Sequence, residues 1–111
     1  QVHGAIVQGI GQALFEGVIY EDGQPRTGSF MDYGVARAAD VPSFAVVHVE
    51  DPTLGNPLRV KGGGEGGIIA ATAVVVSALC DALRDYGVKD LTMPVSPLQL
   101  WEAMNPAPQP A

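Results

Sequence analysis

One segment of this sequence combines residues that could do chemistry. In Lys61-Gly-Gly-Gly-Glu-Gly-Gly67, five glycines surround a single acid, Glu65. Because glycine has no side chain, the backbone of such a segment can come close to another group. The segment leads into an apolar run that predicts a helix, whose first N–H groups have no partners within the helix. The sequence therefore predicts an anion-binding loop that carries one carboxylate.

Two interpretations of Glu65 are open. The acid stands close to apolar Ile68 and Ile69, and partial removal from water would make its carboxylate a stronger base. Alternatively, it only complements the positive end of the following helix, where an acid contributes roughly 0.3–1 kcal/mol. Most acids at helix starts have only this second role, so the local pattern by itself favours it.

The same glycines satisfy the pattern Gly-x-Gly-x-x-Gly, at Gly62, Gly64 and Gly67. Dinucleotide-binding folds place this pattern immediately after a strand. Here only Leu58–Lys61 could form that strand, and it is short. A P-loop would need Gly-Lys-Ser or Gly-Lys-Thr, which is absent. A nucleotide-binding loop is therefore a weak alternative.

The first helix, predicted over residues 2–16, carries an unusual polar side. Interior helix glycines cost up to about 1 kcal/mol each relative to alanine. Amides beside bare backbone suit either a flat polar ligand or close packing against another segment, and for Gln8 and Gln12 we favour packing. The residues on this side are Gln1, Gln8, Gln12, Gly4, Gly9 and Gly11.

The other elements predict an α+β fold, with three helices and a small, mostly antiparallel sheet. Strands are expected at 15–20 and 27–33, joined through the turn Glu21-Asp22-Gly23, and most clearly at 43–50. A second helix is expected at 68–84, ending near Gly87. Ser96 and Pro97 begin a last helix that ends at Met104. Residues 105–111, with three prolines, are expected to form a flexible tail.

Composition excludes several classes of partner. The net charge of −6 argues against nucleic acid and against an anionic membrane surface. The longest apolar run, 68–80, falls short of the ~20 residues that span a bilayer. The single cysteine, Cys80, lies in that run and is expected to pack as a small hydrophobe in a cytoplasmic protein. The chain begins in helical register, so we expect it to continue from something longer.

Four segments together resemble the C-terminal cofactor-binding domain of molybdenum hydroxylase large subunits. This family includes xanthine dehydrogenases, aldehyde oxidases and molybdenum-type carbon monoxide dehydrogenases, and the bacterial aldehyde and carbon monoxide enzymes look nearest. The segments occur in the family's order, and the resemblance runs over residues 1–104. They are Gln1–Leu14, Thr27–Tyr33, Asn56–Leu58 and Val60–Gly67.

The resemblance implies a role for each site residue. Glu65 matches the family's active-site glutamate, a base beside the molybdenum, and Gln1 matches a glutamine near the cofactor. Lys61, Gly62, Gly63 and Gly64 would then contact molybdopterin, in its cytosine dinucleotide form. No residue of this chain is expected to ligate a metal. The family usually has valine or alanine where Gly63 stands, so the loop of this chain is expected to be less rigid.

The resemblance also implies partners. The rest of the large subunit would complete the site, and electrons would leave through iron–sulfur clusters to FAD in other domains or subunits, within an oligomer of heterotrimers. The small-molecule substrate would be an aldehyde, carbon monoxide, a purine or another N-heterocycle. An acidic interaction module without catalytic function remains the second alternative to this interpretation.

Overall fold

The computed structural model describes residues 1–106, which form three α-helices and one two-stranded antiparallel sheet. Two single turns of 3₁₀ helix lie at Ala38–Asp40 and Arg84–Tyr86. The predicted α+β class is confirmed. Residues 107–111, most of the expected tail, lie outside the described part. The elements are α1 (Val2–Leu14), β1 (Tyr20–Glu21), β2 (Gln24–Pro25), α2 (Ile68–Ala82) and α3 (Pro97–Met104).

Helices α1 and α2 pack closely side by side. A Cβ placed on Gly9 of α1 would lie 2.5 Å from the Cβ of Ala71 in α2, so only glycine allows this approach. One turn later, Thr72 Oγ1 lies 3.4 Å from the side-chain oxygen of Gln12 and donates to it. The packing interpretation of this side of α1 is therefore right for Gly9 and Gln12.

The two helices run in the same direction. Gly67, just before α2, lies against Val2 and Ala5 near the start of α1, whereas Ala71 and Thr72 lie against Gly9. Contacts thus advance along both helices together. The N-termini of α1 and α2 consequently lie at the same end of the pair, next to the glycine loop.

The core of the described residues is small. The buried apolar side chains are those of Ala5, Ala13, Leu83 and Val95. Val95 is almost fully covered, and its N–H donates to the carbonyl of Ala13 at 2.7 Å. This bond ties the segment before α3 to the end of α1.

The predicted hairpin exists, but its strands are shorter than expected. The predicted turn is confirmed, because Asp22 and Gly23 both have positive φ, as the type I′ hairpin turn requires. The predicted strand at 27–33 is wrong. Ser29 instead starts a turn in which its carbonyl accepts from Asp32 and Tyr33 and its hydroxyl accepts from the N–H of Met31. Such local bonds to serine compete with a strand ladder.

The strand predicted most clearly, at 43–50, is also wrong for this structure. No residue of that segment pairs with a neighbouring strand within residues 1–106. Val47 and Val49 are nearly nine-tenths exposed. A strand is defined by the bonds to its partner, and the described chain provides none there.

The helix ends follow the sequence signals. Helix α2 ends at Ala82, and one 3₁₀ turn then leads to Gly87, whose φ of 79° is the left-handed conformation expected of a terminating glycine. The Ser96 side chain accepts from the N–H of Gln99, and the Gln99 side chain accepts from the N–H of Ser96. This reciprocal capping box starts α3 at Pro97, as predicted.

Large apolar side chains remain exposed in the described chain. Phe30 and Met31 are 88% and 96% exposed, and the shape is elongated, with extents of 67 × 38 × 27 Å. Phe30 and Met31 are adjacent in the sequence, and large exposed apolar side chains next to each other fit a contact with another element. Within residues 1–106, no helix is long and apolar enough to cross a bilayer.

Candidate functional site

The structure brings together the two segments that the sequence singled out. The side-chain Nε2 of Gln1 lies 3.4 Å from the carbonyl oxygen of Gly64 and donates to it, across 63 residues of sequence. This contact follows from the parallel packing of α1 and α2, which places both N-termini at one end. Gln1 therefore lies beside Glu65, the residue that follows Gly64.

The exit of the glycine loop is held by the start of α1. A Cβ on Gly67 would lie 2.7 Å from the carbonyl oxygen of Val2 and 2.9 Å from the Cβ of Ala5, so glycine is required here by packing. The carbonyl of Glu65 accepts from the N–H groups of Ile68 and Ile69, at 3.1 and 3.3 Å. The backbone of Glu65 is thus fixed to the first turn of α2.

Glu65 does not cap helix α2. The residue at the N-cap of α2 is Gly67, no side chain caps that helix, and no acid lies in its first turn. Glu65 is also exposed in this chain. The partial desolvation beside Ile68 and Ile69, which was one of the two interpretations of this acid, is therefore absent here, because those side chains do not cover the carboxylate. Any desolvation has to come from a group outside the described residues.

Gly62, Gly63 and Gly64 form a bare arc of backbone. A Cβ on any of the three would meet nothing within 4 Å, and none of them has positive φ. Their N–H groups donate no backbone hydrogen bond within residues 1–106. Neither packing nor conformation in this chain explains three successive glycines. An arc with free N–H groups and no side chains fits the close approach of a flat or anionic ligand.

Lys61 lies at the entry of the loop and is already paired. Its Nζ contacts Oδ2 of Asp51 at 2.5 Å, with both side chains at least half exposed. The sequence interpretation gave Asp51 no role. This ion pair directs the lysine toward the 51–59 loop, and an exposed pair of this kind contributes about 0–1 kcal/mol.

Two histidines that the sequence left without a role lie near Gln1. His3 and His48 line one groove with Gln1, and the ring of His3 lies 5.8 Å from that of Phe44. The sequence spacing of the two histidines could not have shown that they lie in one groove, because the segment of His48 has no strand partner in the described part of the chain that would fix its position. Within residues 1–106, no group of three or more histidine, cysteine or acidic residues could hold a metal ion.

Asn56 is another residue whose role the sequence did not reveal. Its side-chain amide donates to the carbonyl of Val60 at 2.9 Å, and its side-chain oxygen accepts from the N–H of Val60 at 3.3 Å. The only indication in the sequence that Asn56 has a role was the resemblance of the segment Asn56–Leu58 to the family, and this resemblance did not suggest what the residue does. Leu58–Lys61, which a dinucleotide fold would need as a strand, is not one.

Comparison with known proteins identifies relatives of this chain. Residues 1–42 match the molybdopterin cofactor-binding domain family. The 6-hydroxypseudooxynicotine dehydrogenase complex subunit gamma of Paenarthrobacter nicotinovorans is 48% identical over 103 residues, covering 91% of this chain. The nicotine 6-hydroxylase large subunit of the same organism is 40% identical over 98 residues, covering 87%. The chain spans 13% and 12% of the lengths of these two relatives.

A solved structure extends the similarity to the fold. The crystal structure of quinoline 2-oxidoreductase from Pseudomonas putida 86 superposes with a TM-score of 0.88 at 40% identity, over 96% of this chain and 14% of that one. The chain belongs to the family of molybdenum hydroxylase large subunits, of which it represents a part.

Proposed function

We propose that this chain supplies the catalytic base and part of the cofactor site of a molybdenum hydroxylase. Glu65 is the base. The observation that carries the proposal is the contact between Gln1 and Gly64, because it joins the two segments that resemble the family's cofactor site. The cofactor-binding residues are Gln1, Lys61, Gly62, Gly63 and Gly64.

The bare arc of Gly62 to Gly64 fits the cofactor on chemical grounds. Its N–H groups lack backbone acceptors within residues 1–106, and the N-termini of α1 and α2 add positive potential at the same end. Both features favour binding of the pterin or the phosphate groups of molybdopterin, in its cytosine dinucleotide form. When bound, the cofactor supplies oxygen-transfer and two-electron redox chemistry.

Glu65 contributes by moving a proton. Its carboxylate would accept the proton of the oxygen nucleophile, and the bound cofactor would supply the two-electron acceptor for the hydride that the substrate carbon loses when the new C–O bond forms. The base has to stand about 2.6–3.2 Å from that oxygen. The backbone bonds from Ile68 and Ile69 to the Glu65 carbonyl hold the residue in place, while its exposed side chain remains free to reach out of this chain.

The exposed apolar surface supports a larger assembly. Phe30, Met31, Val47 and Val49 are between 87% and 96% exposed, and we propose that the rest of the large subunit covers them. Iron–sulfur clusters and FAD would sit in other domains or subunits of a cytoplasmic heterotrimeric assembly. The isolated chain is expected to be inactive, because most of the cofactor contacts lie elsewhere.

The names of the similar proteins favour one substrate class. The relatives at 40–48% identity are named for nicotine and for 6-hydroxypseudooxynicotine, and the structural neighbour at 40% is named for quinoline. We therefore propose an N-heteroaromatic substrate, oxidised at a ring carbon made electron-poor by the nitrogen. An aldehyde or carbon monoxide is the second candidate. Turnover of quinoline or a pyridine, with none of benzaldehyde or carbon monoxide, would separate them.

The test of the base is Glu65→Gln in the full-length subunit assembled with its cofactor. Loss of the base should lower kcat by about 100- to 10,000-fold while the molybdenum content stays unchanged. Glu102→Gln, the same change at an exposed acid on α3, is the matched control and should keep full turnover.

A normal kcat in Glu65→Gln would exclude the catalytic role and favour the acidic interaction module. Tight binding of NAD or ATP to a parent complex that holds no molybdenum would favour the nucleotide-binding alternative instead.

A further inference from the structure

The turn Asn56–Val60 is held by one side chain. Asn56 contacts Val60 twice, donating to its carbonyl and accepting from its N–H. The carbonyl of Asn56 also accepts from the N–H of Arg59, at 3.0 Å. Three hydrogen bonds from one residue therefore close a turn of five residues.

The turn needs this support because its backbone is unfavourable by itself. Arg59 has a φ of 58°, in the left-handed region that residues with side chains rarely adopt. Such a conformation persists only where the surrounding bonds determine it. Pro57 adds to the constraint, because a proline disfavours helical backbone in the residue before it.

The Asn56–Val60 turn fixes where the glycine loop begins. Val60 is followed directly by Lys61 and by Gly62 to Gly64, whose N–H groups donate no backbone hydrogen bond within residues 1–106; the next contact is that of Gln1 with the Gly64 carbonyl. Two further contacts hold the entry: the carbonyl of Arg59 accepts from the N–H of Thr53 at 3.2 Å, and Lys61 forms an ion pair with Asp51, which is exposed and therefore weak. At the exit, by contrast, the loop is held by Gln1 and by the packing of Gly67.

We infer that Asn56 is a positioning residue for Glu65, acting through Val60 and the glycine loop. Without both side-chain bonds Val60 would be held less tightly, and the three glycines would pass that added mobility on to Glu65. Displacement of a reacting group by about 1 Å can cost about 100-fold in rate. This inference rests on the proposed function of Glu65.

The experiment compares Asn56→Ala with Asn105→Ala in the full-length subunit assembled with its cofactor. Asn105 is a matched control, because its side chain also donates to a backbone carbonyl, that of Trp101 at 2.8 Å. Asn56→Ala should lower kcat and kcat/KM by the same factor, at least about tenfold, with KM unchanged. Amide hydrogen exchange of residues 60–67 should accelerate, and molybdenum content should stay constant.

A third variant keeps the test informative if Asn56→Ala does not fold. Asn56→Asp keeps the oxygen that accepts from Val60 N–H but loses the donor, so it should fall between the wild type and Asn56→Ala in kcat and in exchange. Asn105→Ala should change neither quantity.

Each outcome has a distinct meaning. If Asn56→Ala retains normal kcat while Glu65→Gln loses it, the positioning role is wrong and the proposed base survives. If Glu65→Gln also retains kcat, the proposed function itself is wrong. A fall in kcat without faster exchange at 60–67 contradicts the mechanism, as does a failure of both Asn56 variants to fold.

Discussion

Gln1 and Gly64 are 63 residues apart in sequence and hydrogen-bonded in the structure. The bond exists because α1 and α2 lie parallel, so that the residue before one helix meets the loop before the other. Gln1 thereby holds the loop one residue ahead of Glu65. A side chain in this place can orient both the loop and whatever the loop binds.

Replacing Gln1 should therefore weaken the site without unfolding the subunit. Gln1→Ala removes the donor to the Gly64 carbonyl, and loss of such a supporting contact typically costs about 10- to 100-fold in metal affinity or activity. Molybdenum content and turnover of the full-length subunit measure this. Gln8→Ala, at an exposed glutamine on the same helix, should alter neither, and equal losses in both variants would contradict a specific role.

The close contact of α1 with α2 can be tested with two glycines of α1. Gly9→Ala forces a Cβ to within 2.5 Å of the Ala71 Cβ, so it should destabilise the subunit by about 1–3 kcal/mol. Gly4→Ala meets nothing within 4 Å and should stabilise the helix by about 0.5–1 kcal/mol. Chemical unfolding of the two variants measures the difference. A stable Gly9→Ala would mean that the helices are farther apart than described.

Two glycines of the loop should respond in opposite ways. Gly63→Ala adds a Cβ into open space and should stabilise the chain by about 0.4–1 kcal/mol through its unfolded state. Gly67→Ala places a Cβ 2.7 Å from the Val2 carbonyl oxygen, so it should separate α1 from the loop and lower cofactor content. Molybdenum analysis and thermal unfolding of both variants decide this.

The hydrogen bond of Tyr33 predicts how the stability of the folded state changes at alkaline pH. Its hydroxyl donates to Oε2 of Glu16 at 2.7 Å, and this hydrogen bond, with burial and the nearby negative charge, raises the pKa of Tyr33 above 10.0. The folded state therefore holds the phenol proton more tightly than the unfolded state does. The resulting stability is complete below pH 10.0 and is lost as the pH rises through the folded pKa.

The measurement for Tyr33 is an ultraviolet titration of phenolate, taken as the difference between the parent subunit and Tyr33→Phe. In Glu16→Gln the pKa of Tyr33 should move back toward 10.0, because the charged acceptor is gone. An unchanged midpoint in Glu16→Gln would show that the negative charge of the acceptor does not cause the shift.

Helices were predictable from this sequence because their signals are local. The Ser96 cap, Pro97 and the left-handed Gly87 lie within a few residues of the ends that they determine. The Asp22-Gly23 turn was predictable for the same reason. The strand expected at 43–50 was not found, because strand formation depends on a partner that the described residues do not contain.

The features of the site also fall into those that were predictable from neighbouring residues and those that were not. By itself the sequence determined that residues 61–67 are a bare loop with one acid in front of a helix, since glycine content and apolar periodicity are properties of neighbouring residues. Only the tertiary structure decided that Gln1 meets this loop and that Asn56 holds its entry. The contact of Gln1 depends on how closely α1 and α2 approach, and that distance is set by Gly9 and Gly67 meeting backbone and side chains far away in sequence. The contacts of Asn56 span only four residues, but they depend on the left-handed backbone that Arg59 adopts between Asn56 and Val60.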